Sequence, residues 1–400
     1  MGIVNLNCEF KGNKKTLQFH ILNSKFSQSI LSLLGAISLK ILSDKKDLQI
    51  DGIDLSVSNI LTMFNKVFLG IGKVNTECKI VLSDEVLPKI SAARKIPIDI
   101  RENVKNKLIE MESQNIIEKI DTPTDWVHPI VTVAKPNGDV RICMDPRKLN
   151  EYIKREHFQI PDFEDLFSKL ANSKVYSLLD ASSAFLQVPL DKQSSDLCTI
   201  ATPFGRYKYL RMPFGISNAP EVFQRIITNI LDGLSGVIAY FDDILVFGSD
   251  INEHNNNLKK VLQRISDSGL TLNKDKSKFA MTEVKFLGHV INSSGIKVDD
   301  SKVKAITNIS TPKNKTELQR FLGMITYLGK FLPNLSQKTY PLRKLLCNKN
   351  VWLWDTEQET CFNYLKDLVT TTPVLSYFNP CKDIVLSVDS SQYGMGAVLL

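Results

Sequence analysis

Two adjacent carboxylates, Asp242 and Asp243, stand between the apolar runs Val237-Ile238-Ala239-Tyr240-Phe241 and Ile244-Leu245-Val246-Phe247. Runs this short, rich in β-branched and aromatic residues and closed by Gly248, predict a hairpin with the acids at its turn. Tight hairpin turns favour Asn-Gly or Asp-Gly, where positive φ costs least, so Asp-Asp is an odd choice for geometry alone. Like charges held between buried strands repel and lose hydration unless donors or cations neutralise them, and hard divalent ions with oxygen ligands do that. A third acid, Asp180, ends the strand-like run Val175-Tyr176-Ser177-Leu178-Leu179. Two-metal phosphoryl transfer needs carboxylates that converge from separate elements on ions ~3.5 to 4 Å apart, and these three would supply them. Taken singly, each acid has a plain alternative as a turn or cap residue.

Several elements must position these groups. Val222, Phe223, Ile226, Ile227, Ile230, Leu231 and Leu234 share one helical face, with Ser217 and Asn218 as cap candidates and Pro220 in the first turn. The acidic hairpin follows at once, which predicts strand, helix and hairpin in an α+β layer. Val104, Leu108 and Met111 mark a helix from about residue 100. Pro129 to Ala134 and Val140 to Met144 flank Pro136-Asn137-Gly138-Asp139 as a second hairpin, with Lys135 and Arg141 beside its loop. Leu258, Val261, Leu262 and Ile265 predict a helix stopped near Gly269. Asn314 with Glu317, and Thr356 with Glu359, have the spacing of capping boxes. Residues 1 to about 50 hold short alternating apolar segments that suggest β structure, including Ser29 to Gly35.

The chain has 400 residues and 43% hydrophobic content, enough for two or more packed domains. No run approaches the roughly 18 apolar residues of a membrane span, and residues 1–14 lack the order of a secretory signal, so an intracellular protein without a membrane partner is expected. Seven scattered cysteines with no Cys-x-x-Cys spacing imply neither a disulfide framework nor a zinc site. Fifty Lys+Arg against 43 Asp+Glu give +7, a mild bias towards a polyanionic partner.

At Tyr240-Phe241-Asp242-Asp243 and Leu179-Asp180-Ala181-Ser182-Ser183-Ala184-Phe185 the sequence resembles the reverse transcriptases of gypsy-like long-terminal-repeat retrotransposons and, more distantly, of retroviruses. The segments Thr202 to Tyr207 and Met212 to Gln224 resemble the nucleotide pocket of that family, and Arg141 to Asn150 its fingers. The resemblance spans roughly Lys89 to Leu400. It implies that Asp180, Asp242 and Asp243 hold two Mg²⁺ ions, with Mn²⁺ as a substitute, and align a primer 3′-hydroxyl with the α-phosphate of a dNTP. Lys135 and Arg141 would close on the triphosphate. Phe185 would exclude a 2′-hydroxyl, against a plain role in core packing, and Phe214 and Gly215 would complete the pocket floor. Lys276 would sit near the acids, although a lysine on a solvated turn is the default. Tyr240 and the segment Phe286-Leu287-Gly288-His289 would contact primer and template, with His289 a packing or phosphate contact rather than a base.

The implied architecture is a right-hand polymerase of the α+β class. Its expected divisions are a remnant of a retroelement aspartic protease over residues 1–50, a connector over 51–90, fingers and palm over 91–265, a thumb over 266–335, a connection over 336–380 and a truncated ribonuclease H-like start over 381–400. Asp389 would be a vestigial ribonuclease H acid. The chain ends before that domain's further acids, and its sole Asp-Ser-Gly, at 267–269, falls at a helix end, so neither ribonuclease H nor protease activity is expected. The expected reaction adds deoxynucleoside monophosphates to a primer on an RNA template, and on DNA as well. A catalytically silent nucleic-acid-binding relic and an RNA-directed RNA polymerase are the competing readings; intact acids speak against the first and the bulk of Phe185 against the second. Oligomeric state, primer identity and polyprotein processing are left open by the sequence.

Overall fold

The computed structural model describes residues 2–10, 13–21, 56–134, 138, 140–332, 334–347, 350–371, 374–377, 385–391 and 394–399. The chain divides into two units, Met1–Asn59 and Ile60–Leu400. In the first, β1 (Gly2–Phe10) pairs antiparallel with β2 (Asn13–Ile21) from Gly2↔Ile21 to Phe10↔Asn13. The β structure expected over 29–35 lies outside the described residues.

The second unit carries two main sheets. Strands β3 (Ile117–Ile120), β4 (His128–Ala134), β5 (Val140–Met144), β7 (Thr199–Thr202) and β8 (Gly205–Tyr209) form the first, in the order β3-β8-β7-β4-β5. Its β4-β5 pair is the hairpin expected around Asn137-Gly138. The second sheet joins β6 (Val175–Ala181), β9 (Val237–Tyr240), β10 (Asp243–Gly248) and β11 (Leu272–Met281), all antiparallel, in the order β11-β6-β10-β9. Strand β10 is buried along almost its whole length, so its run of Ile, Leu, Val and Phe is apolar on both faces.

Two helices support this second sheet. Helix Ala219–Leu231 buries Val222, Phe223, Ile226, Ile227 and Leu231; Pro220 sets its first turn, and Asn218, at the N-cap, makes no side-chain capping bond. Helix Ile251–Ser268 starts where Asp250 accepts from the N–H groups of Asn252 and Glu253 and ends at Gly269, whose φ of 76° is the left-handed stop glycine allows. The Asp267-Ser268-Gly269 triplet is this helix end.

The segment read from sequence as a connector is bonded into this layer. The N–H of Lys73 donates to the Gly269 carbonyl (2.9 Å), Val74 to Gln187 (2.9 Å) and Cys78 to Pro189 (2.8 Å). Gly72 donates to Thr271 Oγ1 at 2.8 Å, and Arg211 Nη1 donates to the Gly72 carbonyl at 2.9 Å. A Cβ at Gly72 would lie 2.4 Å from both Gln187 Oε1 and the Gly269 carbonyl, so the approach requires glycine.

Beyond residue 281, β12 (Glu283–Phe286), β13 (His289–Asn292) and β14 (Gly295–Val298) form a meander, followed by helices Asp300–Thr307, Lys315–Tyr327, Leu335–Leu346 and Thr356–Thr370. Phe286, Phe321, Phe331 and Phe362 are fully buried among them. Asn314 caps Lys315–Tyr327 as expected, accepting from the Glu317 N–H. The second capping box is shifted from the expected Thr356/Glu359 to Asp355 and Gln358. A carboxylate outcompetes a hydroxyl as acceptor there, and Glu359 is drawn off by the Trp354 indole N–H at 2.7 Å. Strands β15 (Leu386–Ser391) and β16 (Gly394–Leu399) pair as a hairpin that contains Asp389. No helix among the described residues is long and apolar enough to cross a membrane.

Behind β6, buried His254 stands 2.8 Å from Ser177 Oγ through Nε2 and 2.9 Å from Asn255 Oδ1 through Nδ1. With Nδ1–H donating to Asn255, Nε2 accepts from the serine, which requires the neutral ring; burial accordingly holds its pKa below 6.5. The unfolded chain then takes up the proton first on acidification, so this contribution to stability is complete above about pH 6.5 and is lost as pH falls below it. In thermal melts between pH 7.5 and 5.5, native protein is expected to lose more stability than His254→Gln.

Candidate active site

Asp180 and Asp243 face each other directly. They are Cα partners across the β6-β10 pair, while Asp243 also pairs with Tyr240 across β9-β10, which leaves Phe241 and Asp242 as the two turn residues. The turn is tied to the neighbouring strand by the Ala181 N–H, which donates to the Asp242 carbonyl at 2.8 Å. All three acids expected from the sequence therefore stand at one end of one sheet.

Their electrostatics follow from this crowding. Burial, with Asp242 and Asp180 close by, pushes the Asp243 carboxyl up to about 6; Lys276 opposes the shift. Burial also raises Asp180, again against the pull of Lys276 and with a push from Asp242. The ammonium of Lys276 lies 3.3 Å from both carboxylate oxygens of Asp180, with the lysine side chain 64% exposed and the aspartate 17%. It reaches them because β11 breaks register with β6 between Asn273 and Lys278. Asn273 Oδ1 accepts from the N–H groups of Asp275 and Lys276 in that bulge, and Ser277 Oγ accepts from the Asp180 N–H at 3.2 Å.

The site thus has the chemistry a hard cation selects: acceptor-only oxygens, mutual repulsion, and one cation already drawn in as a neutraliser. Among the described residues, no three His, Cys, Asp or Glu side chains are gathered into a ready metal cage. Asp180 is instead engaged by Lys276.

Beside the acids lies an aromatic floor. Phe185, half-buried, packs against Phe214 (centroids 5.5 Å) and Phe223 (6.0 Å), and the Arg141 guanidinium lies over Phe214 at 5.3 Å. Gly215 has φ +110°, and a Cβ there would lie 2.7 Å from the Met144 carbonyl and 3.0 Å from Pro146 Cδ. Asn150 locks this crossing, donating to the Gly215 carbonyl at 2.9 Å and accepting from the Ser217 N–H at 3.0 Å. Gly215→Ala is expected to cost about 2 to 4 kcal/mol, read as a lowered urea midpoint, from strained backbone and overpacking together. Lys135 lies outside the described residues.

The remaining expected contacts are distributed differently. Tyr240 is half-buried and packs on the core beyond the sheet. Phe286 is 1% exposed, and His289 is 5% exposed and stacked on Tyr327 (5.7 Å, 12°). Burial and the lysines 330 and 302 keep the His289 pKa low. Both side chains are packing groups of the β12-β13 hairpin, whose exposed positions are Glu283 and Lys285, and its turn is half-buried. That turn, Leu287 (φ 50°) and Gly288 (φ 76°), lies against Tyr327, whose hydroxyl would be 2.8 Å from a Cβ on Gly288. Asp389 belongs to β15, away from this sheet in sequence and pairing.

Sequence reasoning did not single out Asn150, Ser277 or Gln224. Gln224 is fully buried; its Oε1 accepts from the Phe241 N–H at 2.7 Å, and its Nε2 donates to the Ala239 carbonyl at 3.0 Å. A polar residue on the apolar face of the Ala219–Leu231 helix was the available signal.

This architecture is the right-hand polymerase fold of reverse transcriptases. Residues 133–326 match the family described as "Reverse transcriptase (RNA-dependent DNA polymerase)", and residues 354–400 the "RNase H-like domain found in reverse transcriptase". The chain is 35% identical over 304 residues to the "Retrovirus-related Pol polyprotein from transposon 297" of Drosophila melanogaster, covering 74% of this chain and 28% of that protein. It is 35% identical over 273 residues to the "Transposon Tf2-3 polyprotein" of Schizosaccharomyces pombe, covering 68% and 20%. The chain thus spans about a quarter of the length of these relatives. Among solved structures, the foamy viral protease-reverse transcriptase in complex with double-stranded DNA matches with TM-score 0.77 at 19% identity, covering 97% of this chain and 72% of that one. The same viral enzyme in complex with an RNA/DNA hybrid matches with TM-score 0.73 at 18% identity, covering 100% and 58%. The chain carries a reverse transcriptase domain of the kind found in transposon Pol polyproteins.

Proposed function

We propose that this chain extends a primer 3′ end with deoxynucleoside monophosphates on an RNA template, and on DNA as well, releasing pyrophosphate. The observation that carries the reading is the cross-strand pair Asp180/Asp243 with Asp242 in the adjoining turn. Reverse transcriptases use divalent metals; Asp180, Asp242 and Asp243 would hold two Mg²⁺, or Mn²⁺, which supply charge neutralisation for the attacking and leaving oxygens. Lys276 would give up Asp180 as the acids are engaged, freeing its ammonium to meet phosphate charge. Arg141, braced on Phe214, offers a bidentate contact to the triphosphate, and Lys135 a point charge. Phe185 excludes a 2′-hydroxyl from the sugar's position. The turn Leu287-Gly288 brings backbone close to the primer, and duplex grip from Lys and Arg makes binding fall with salt.

The test is primer extension on RNA and DNA templates in Mg²⁺, native against Asp242→Asn. Extension by the native chain alone supports the proposal; equal extension by both, or none by the native chain, refutes it.

A further inference from the structure

The two-residue turn that carries Asp242 is held in an unfavourable shape by a residue from another element. Phe241 has φ +51°, a left-handed conformation that a residue with a Cβ adopts at a cost. Neither Asn nor Gly stands there to make it easy. The conformation persists because the surroundings over-determine it.

Gln224 supplies the determination. Its side chain projects from the Ala219–Leu231 helix, 17 residues before the turn, and is fully buried. One planar carboxamide meets both arms of the hairpin: Oε1 accepts from the Phe241 N–H at 2.7 Å, and Nε2 donates to the Ala239 carbonyl at 3.0 Å. A third, longer bond runs from Nε2 to Thr228 Oγ1 on its own helix at 3.3 Å. On the other side of the turn, the Ala181 N–H donates to the Asp242 carbonyl at 2.8 Å. The turn is therefore fixed from the helix through Phe241 and from β6 through Asp242, and Asp243 enters β10 from that fixed point.

We propose that Gln224 is a positioning residue for the acids: by clamping the Phe241 amide it sets the separation and orientation of the Asp242 and Asp243 carboxylates relative to Asp180. The inference rests on the polymerase reading for its effect on rate, but the clamp itself is a property of the fold. Only glutamine among residues of this length presents a donor and an acceptor at once; methionine keeps the volume and loses both, and glutamate keeps the acceptor for Phe241 and loses the donor for Ala239. Losing buried hydrogen bonds at a group that sets reacting geometry is expected to lower turnover ~10- to 100-fold.

The experiment compares native chain, Gln224→Met and Gln224→Glu in three measurements: primer extension, Mn²⁺ binding by electron paramagnetic resonance, and exchange of the Phe241 amide hydrogen. Gln224→Met is expected to lose turnover ~10- to 100-fold with KM for dNTP within about threefold, and to bind Mn²⁺ roughly tenfold more weakly, because geometry rather than nucleotide contact is altered. Gln224→Glu is expected to fall between Met and native in both. The Phe241 amide is expected to be protected in the native chain and, where the variants fold, unprotected in Gln224→Met. Native Mn²⁺ affinity and turnover in Gln224→Met overturn the proposal, as does loss that follows thermal stability alone with Mn²⁺ affinity intact. Should neither variant fold, rapid exchange of the Phe241 amide in the native chain overturns it and protection supports it. A native chain that neither extends a primer nor binds Mn²⁺ refutes the polymerase reading instead, while the amide measurement still decides whether the clamp exists.

Discussion

Asp243→Asn is expected to abolish primer extension, by roughly 10³-fold or more, while leaving the metal-free protein at least as stable as native. The loss follows from the scale of charge stabilisation that bound cations provide, several kcal/mol at about 1.4 kcal/mol per factor of ten. The stability follows from the site's own electrostatics. The folded chain holds the Asp243 carboxyl up to about 6, against an ordinary 3.8, because ionising it means charging a buried group beside Asp242 and Asp180. The folded state therefore binds this proton more tightly than the unfolded one, and the contribution of Asp243 to stability falls as pH rises from about 4 to about 6, then stays level. Asparagine cannot be charged and escapes that fall. Melting curves without divalent ions should show the variant's advantage at pH 7 and its disappearance near pH 4. Residual extension within tenfold of native, or a variant clearly less stable at pH 7, would contradict this account.

Phe185→Val is expected to relax the choice between deoxy- and ribonucleotides, lowering the ratio of kcat/KM for dNTP over rNTP on the order of 10²-fold. The ring is wedged by Phe214 and Phe223, so it cannot swing aside for a 2′-hydroxyl without displacing two aromatic neighbours. Rigidity of this kind is what a purely steric filter would require. Valine opens that space at a packing cost of about 1 to 2 kcal/mol, which a denaturation curve measures separately. An unchanged ratio with lowered stability would reduce Phe185 to a core residue.

The acids were legible because their chemistry conflicts with their surroundings. Asp-Asp in a turn between apolar strands costs free energy unless something binds it, and that conflict is visible without coordinates. The Ala219–Leu231 helix and the acidic hairpin were legible by period and by flanking turn residues. The bonds that hold the site were not. Gln224 and Asn150 act through single amides on backbone many residues away, and no periodicity encodes a partner at that distance. Two overlapping boxes fit the same five residues at 355–359, and the stronger carboxylate acceptor together with the competing indole of Trp354 decides between them. In the segment Phe286 to His289 the glycine marks a tight turn and His289 suggests a packing contact, but that the Phe286 and His289 side chains are both buried follows from helices far downstream in the chain.

Residues 70–78 looked featureless in sequence, with neither a long apolar run nor a motif. Yet Val74, Cys78 and Ile80 are buried, and Gln187, Gly269 and Thr271 all find partners in that ribbon or just beside it. Domain dissection at the family boundary, residue 133, would therefore strip a wall from the catalytic layer: carbonyls at 187, 189 and 269 would lose their donors, and Arg211 its acceptor. A fragment that keeps this wall whole has to include Ile60, Phe64 and Val67, which are buried, so one cut at residue 133 is expected to be less stable than the longer chain, as a denaturation curve would show.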